Sequence, residues 1–149
     1  TDVGVDVLSL GGTKNGALGA EAVVVLDPAA SEGLLYLRKL NMQLASKMRF
    51  LAAPWVGMLE SGAWIARSAH ANRMARKLAD GLAERTSYAL AHPVEANAVF
   101  VDMPGEDLER LQARDWFVYR FLDGSVRFMC SWATTEAAVE EILEAVASL

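Results

Sequence analysis

The stretch that most constrains this sequence is a glycine-rich turn with a single lysine at its tip, set between two strand-like runs. Val3–Leu10 (VGVDVLSL) alternates and is β-branched at several positions, the pattern of a strand. It runs into Gly11-Gly12-Thr13-Lys14-Asn15-Gly16, too rich in glycine for a regular element and therefore a turn or loop. Glu21–Leu26 (EAVVVL) is a nearly continuous apolar run closed by Asp27-Pro28, which suits a strand covered on both faces. Such a pair supports a reactive side chain rigidly. Two strands alone, however, rarely make a stable sheet, which usually takes three or more. The missing partners are expected upstream of Thr1, in a longer polypeptide of which this chain, opening on Thr rather than Met, would be the tail.

From about Leu34 to Arg85 the pattern is helical, with Leu34, Leu37, Leu40 and Leu44 at three- and four-residue spacing. Pro54 and Gly57 are expected to kink or break it. A further helix is expected from about Glu60 through Ala83, with Gly81 near its stop. After Ser87 the pattern changes. Ala98–Met103 reads as a strand ended by Pro104-Gly105, and Glu106–Arg114 as a short helix with Leu108 and Leu111 on one side. Trp116–Leu122 and Val126–Trp132 flank Asp123-Gly124, a strong hairpin signal. Thr134 or Thr135 can cap a last helix whose Val139, Ile142, Leu143 and Val146 form an apolar stripe. The tail is therefore a βαββα unit, with Tyr88–Ala91 as a further candidate strand, and the expected domains are 1–85 and 86–149.

Length and composition exclude several classes. A chain of 149 residues lies within the usual single-domain range of roughly 100–200. With 53% hydrophobic and 22% charged residues it is an ordinary globular sequence rather than a disordered one. The net charge of −5 offers no general basic field for nucleic acid, although residues 31–85 carry nine Lys/Arg against four acids. No apolar run approaches the roughly 18 residues that span a bilayer, and no signal-peptide pattern opens the chain. The lone Cys130 rules out an internal disulfide and suits a reducing compartment, so a cytoplasmic location is expected.

Three basic residues are candidates for chemistry. Lys14, at a loop tip beside Thr13 and three glycines, could act as a nucleophilic amine near a phosphate-bearing ligand. On its own, such a lysine is most often a solvated surface group. Arg127 lies in a strand where alternation puts Arg127, Met129 and Ser131 on one face and Val126, Phe128 and Cys130 on the other. Its planar fork suits a carboxylate from a ligand, although on its own such an arginine more often pairs with an internal acid such as Asp102. Arg49, with Arg38, Lys39 and Lys47 nearby, reads on its own as part of a solvated basic helix. His70 is expected on a helix surface and His92 in a loop before Pro93. Two histidines and one cysteine without ligand spacing make no metal site.

Asp6-Val7-Leu8-Ser9-Leu10-Gly11-Gly12-Thr13-Lys14-Asn15-Gly16 resembles the lysine segment of low-specificity L-threonine aldolases, in the variant with a TKNG core that includes phenylserine aldolases. Further stretches match that family in order: Glu21–Val25, Lys47-Met48-Arg49, Pro93–Val101 and Val126–Trp132. Where the family has a glycine-rich run before the Met-Arg pair, this chain has Leu44-Ala45-Ser46-Lys47.

The resemblance implies an α/β large domain followed by a small α+β C-terminal domain, the C-terminal portion of the aspartate-aminotransferase-like (fold type I) architecture. It implies pyridoxal 5'-phosphate (PLP) as cofactor, attached at Lys14, with Thr13 and Arg49 on the cofactor side. Arg127 is implied to hold the α-carboxylate of a small amino acid substrate. The implied reaction cleaves a β-hydroxy-α-amino acid, such as threonine, to glycine and an aldehyde. The family's histidines, ring-stacking residue and pyridine-facing acid belong upstream of the lysine. The 149 residues are therefore expected to need the N-terminal half as partner, in a homodimer or homotetramer. A related PLP lyase carrying out β-elimination would share Lys14 and Arg127. A non-catalytic interaction module, using the basic helical segment, is the alternative outside enzymology.

Overall fold

In a computed structural model, which describes residues 2–149, the chain divides into two compact units, one up to Trp64 and one from Ile65 to Leu149. In the first, strand β1 (Val7–Gly11) pairs antiparallel with β2 (Glu21–Val25), in register from Val7↔Val25 to Gly11↔Glu21. Between them lies a 3-10 turn, Thr13–Asn15, closed by Gly16 at φ 90°. That left-handed conformation is one glycine enters without the steric cost of a Cβ. Coverage of β2 on both faces is not realised: Val23 is 59% exposed, because no third strand pairs with this sheet among the described residues.

The helical region divides into α1 (Leu34–Leu40), α2 (Met48–Glu60) and α3 (Ala63–Arg85). Pro54 and Gly57, expected to break it, both lie inside α2. The breaks fall elsewhere, at residues 41–47 and at Ser61-Gly62, where Gly62 has φ 70°. Proline removes one backbone hydrogen bond without forcing a stop, whereas a left-handed glycine redirects the chain.

The second unit contains β3 (Ala98–Val101), α4 (Gly105–Gln112), β4 (Tyr119–Arg120), β5 (Val126–Met129) and α5 (Glu136–Ala147). The antiparallel sheet has the order β3-β5-β4. Asp123-Gly124 turns the β4–β5 hairpin, with Gly124 at φ 90° and Asp123 accepting from the backbone N–H and hydroxyl of Ser125. Tyr88–Ala91 contributes only a bridge, Leu90↔Val101. Thr135 caps α5 by accepting from the Ala138 N–H at 3.1 Å.

The core of this unit joins the inward sheet residues Val99, Val101, Val126 and Phe128 to Val139, Ile142, Leu143 and Val146 of α5. From α3 it takes Met74, Ala75, Leu78, Ala79 and Leu82. Each large side chain so buried contributes roughly 1.5–3 kcal/mol. This packing explains why the compact units divide at the start of α3, whereas the sequence suggested a boundary at residue 85. Gly81 lies in the last turns of α3, near the helix end as expected. A Cβ there would stand 2.8 Å from Leu143 Cδ2, so the glycine admits α5 to close contact. No helix among the described residues is long and apolar enough to cross a membrane.

Candidate functional site

Lys14 sits in the middle of the 3-10 turn with its side chain exposed, and no ion pair engages it among the described residues. Its backbone, by contrast, is held. The N–H groups of Asn15 and Ala17 both donate to the Gly12 carbonyl, at 3.0 and 2.9 Å. Asn15 Nδ2 donates to the Trp64 carbonyl at 3.0 Å, and the Thr13 N–H approaches the Glu21 carboxylate at 3.4 Å. Gly12 is buried between exposed neighbours, and a Cβ on it would stand 2.8 Å from Trp55 Cζ2. The turn thus fixes the backbone from which Lys14 starts and leaves its amine accessible.

Arg49 is exposed in the first turn of α2, a turn without an acidic residue and with no side-chain cap on its N–H groups. Free N–H groups and the positive end of a helix favour an anion, and an arginine there adds to that preference. Thr13 is exposed beside Lys14.

In the second unit, Arg127 is half-buried in the central strand β5, opposite Phe100 on one side and Tyr119 on the other. Alternation places it as expected: Val126, Phe128 and Cys130 are buried on the opposite face. Its guanidinium lies 4.7 Å from the Tyr119 ring centroid and 4.9 Å from that of Phe121. Phe121 in turn packs edge-on against Phe100. Nε of Arg127 is buried and has no hydrogen-bond partner. An internal pair with Asp102 is not formed among the described residues. The cation is fixed in direction by rings, yet no acid neutralises it. Lys14 and Arg127 belong to different units, and each is described within its own.

The remaining candidates are already engaged. His70, expected at a helix surface, is half-buried with Nε2 2.7 Å from the Thr134 carbonyl. His92 Nε2 lies 2.6 Å from Asp123 Oδ2. That bond, followed by those from Ser125, lowers the Asp123 pKa to about 2. Cys130 is buried packing, and desolvation raises its thiol pKa to about 11. No group of three or more potential metal ligands occurs among the described residues. Sequence reasoning did not anticipate Asn15, Trp55, Glu21, Tyr119 or Phe121 at these sites. Only the even spacing of Tyr119 and Phe121 along a strand facing Arg127 carried a usable signal.

A family model described as beta-eliminating lyase matches residues 3–106. Over 140 residues the chain is 49% identical to a low specificity L-threonine aldolase from Pseudomonas sp. (strain NCIMB 10558), covering 93% of this chain. It is likewise 49% identical over 140 residues to one from Pseudomonas aeruginosa. The chain spans 40% of the length of each of these relatives. Among solved structures it resembles a threonine aldolase from Leishmania major, with a TM-score of 0.83 at 26% identity over 96% of this chain and 43% of that one. The expected architecture, the C-terminal portion of an aspartate-aminotransferase-like fold, is borne out by that match.

Proposed function

The chain belongs to the beta-eliminating lyase family, and from that premise we propose that it forms the C-terminal part of a PLP-dependent aldolase acting on threonine-like β-hydroxy-α-amino acids. The observation that carries the reading is the uncompensated guanidinium of Arg127. A half-buried cation with an orphaned Nε, aimed by two aromatic rings, favours an anion that arrives from outside. The free carboxylate of an amino acid fits that demand.

The residues present fit the cofactor as well. Lys14 offers an exposed, unpaired amine on a pinned turn, and Thr13 and Arg49 offer a hydroxyl and a cation for a phosphate. When bound, PLP supplies the sink for the electron pair released as the Cα–Cβ bond breaks. Lys14 would hold the cofactor through Nζ. Arg127 binds the α-carboxylate and so fixes which bond at Cα is turned for cleavage. A base must take the β-hydroxyl proton, and the two histidines of this chain are occupied by Thr134 and Asp123. We assign that base, the ring-stacking group and the acid facing the pyridine nitrogen to the N-terminal portion of a longer enzyme.

In this reading the assembly is a homodimer or homotetramer, with Arg49 reaching phosphate across the subunit interface. The lone buried Cys130 supports a reducing, cytoplasmic setting. The test joins the chain to the N-terminal portion of the Pseudomonas relative, adds PLP and identifies the products from threonine and phenylserine. Glycine and an aldehyde are expected. Ammonia and a keto acid would instead establish β-elimination, and no turnover with no PLP uptake would favour an interaction module.

A further inference from the structure

We propose that Trp55 and Asn15 are positioning residues for Lys14, holding the lysine turn by its two shoulders and so setting the direction in which the amine emerges. The proposal rests on the reading above, in which Lys14 takes the cofactor.

A lysine side chain has four rotatable bonds, so the backbone from which it starts must be fixed if Nζ is to meet a particular atom. The start of this turn is Gly12. Its carbonyl accepts from both Asn15 and Ala17, which makes it the hub of the loop. Gly12 itself is buried, and the Ala20 carbonyl and the indole of Trp55, from the middle of α2, together close the space where a side chain would be. A Cβ on Gly12 would stand 2.8 Å from Cζ2 and 3.0 Å from Cε2 of that ring. The hub therefore packs against the indole ring.

The far shoulder is held differently. Asn15 Nδ2 donates to the Trp64 carbonyl at 3.0 Å, a bond between residues 49 positions apart. This ties the residue after Lys14 to the chain beyond α2. Trp55 Nε1 is buried with no hydrogen-bond partner. The indole is thus not held there by its polar atom, and its contribution at this position is the breadth of its ring. Packing at one shoulder and a hydrogen bond at the other hold the turn's backbone while the Lys14 side chain stays exposed.

The test uses the chain joined to the N-terminal portion of the Pseudomonas relative, with Asn15→Ala, Trp55→Ala and Trp55→Phe variants. Two rates are read: amide hydrogen exchange at residues 15 and 17, and fixation of PLP to Lys14, trapped by borohydride. Asn15→Ala and Trp55→Ala should each speed exchange about tenfold and slow fixation by a similar factor, the size expected for one lost contact that holds a local opening equilibrium. Trp55→Phe should restore most of both, and amides of α5 should be unaffected. The proposal is overturned if Asn15→Ala and Trp55→Phe fold and Asn15→Ala leaves both rates within about twofold of the parent. It is also overturned if exchange quickens in α5 as much as in the turn, since that marks a merely structural role. If the parent takes no PLP at Lys14, the functional reading fails. The exchange rates then still decide whether Trp55 and Asn15 hold the turn.

Discussion

Replacing Arg127 with methionine separates a ligand-binding arginine from a structural one. The substitution keeps an unbranched apolar stem against Tyr119 and Phe121 and removes the charge. Relief of the orphaned Nε returns about 1–3 kcal/mol, the usual cost of a buried donor without an acceptor. Loss of two guanidinium–ring contacts, at 4.7 and 4.9 Å, costs about 0.5–1 kcal/mol each in a half-exposed setting. The opposing effects largely offset, so the second unit should change in stability by between a loss of about 1 and a gain of about 2 kcal/mol. Removing one partner of a buried ion pair would instead cost about 3–5 kcal/mol. Binding should respond in the opposite way. Two charge-assisted bonds to a carboxylate, at about 1.5–3 kcal/mol each, amount to at least a hundredfold rise in KM for the amino acid. Urea unfolding followed at Trp116, which packs against this core, reads the first quantity. Steady-state kinetics of the joined enzyme reads the second. A loss of 3 kcal/mol or more with KM unchanged would refute the reasoning.

Two further perturbations probe the scaffold around the site. Gly81→Ala should destabilise the second unit by up to about 2 kcal/mol, since overpacking against Leu143 opposes a gain of about 1 kcal/mol in helix propensity. In a Leu143→Ala background the same change should become neutral or favourable, and additive effects in a double-mutant cycle would contradict the contact. Asp123 has a folded pKa of about 2 against an ordinary 3.8, so its contribution is complete above pH ~4 and is lost as pH falls through about 2. Asp123→Asn should therefore flatten the stability profile in that acid window, as read by thermal unfolding at a series of pH values.

The second unit was largely legible in advance because its signals are local. Asp123-Gly124 needs only its own backbone preference to turn a hairpin, and Thr135 only the next three residues to cap a helix. The alternation from Val126 to Cys130 forecast which side Arg127 would take. What escaped depended on partners distant in sequence. Gly81 was legible as a residue near a helix end, and only the approach of Leu143 shows that it is also a packing site. Pro54 looked like a breaker, but a helix can run through one missing bond when a better stop, Gly62, follows. His70 looked free until the Thr134 carbonyl came beside it. At the candidate site, Lys14 was visible as a motif. Trp55 and Trp64, which hold its turn from elsewhere in the chain, left no trace in the spacing of residues.

The central claim is that Lys14 is the residue that takes PLP. The chain has four lysines, Lys14, Lys39, Lys47 and Lys77, which makes the claim sharply testable. The enzyme completed with an N-terminal portion is incubated with PLP, reduced with borohydride, digested and mapped by mass spectrometry. The N-terminal portion is mapped alongside. The account predicts one phosphopyridoxyl group per chain, on Lys14, abolished by Lys14→Ala. A label on any other lysine, or one that survives Lys14→Ala, would contradict it.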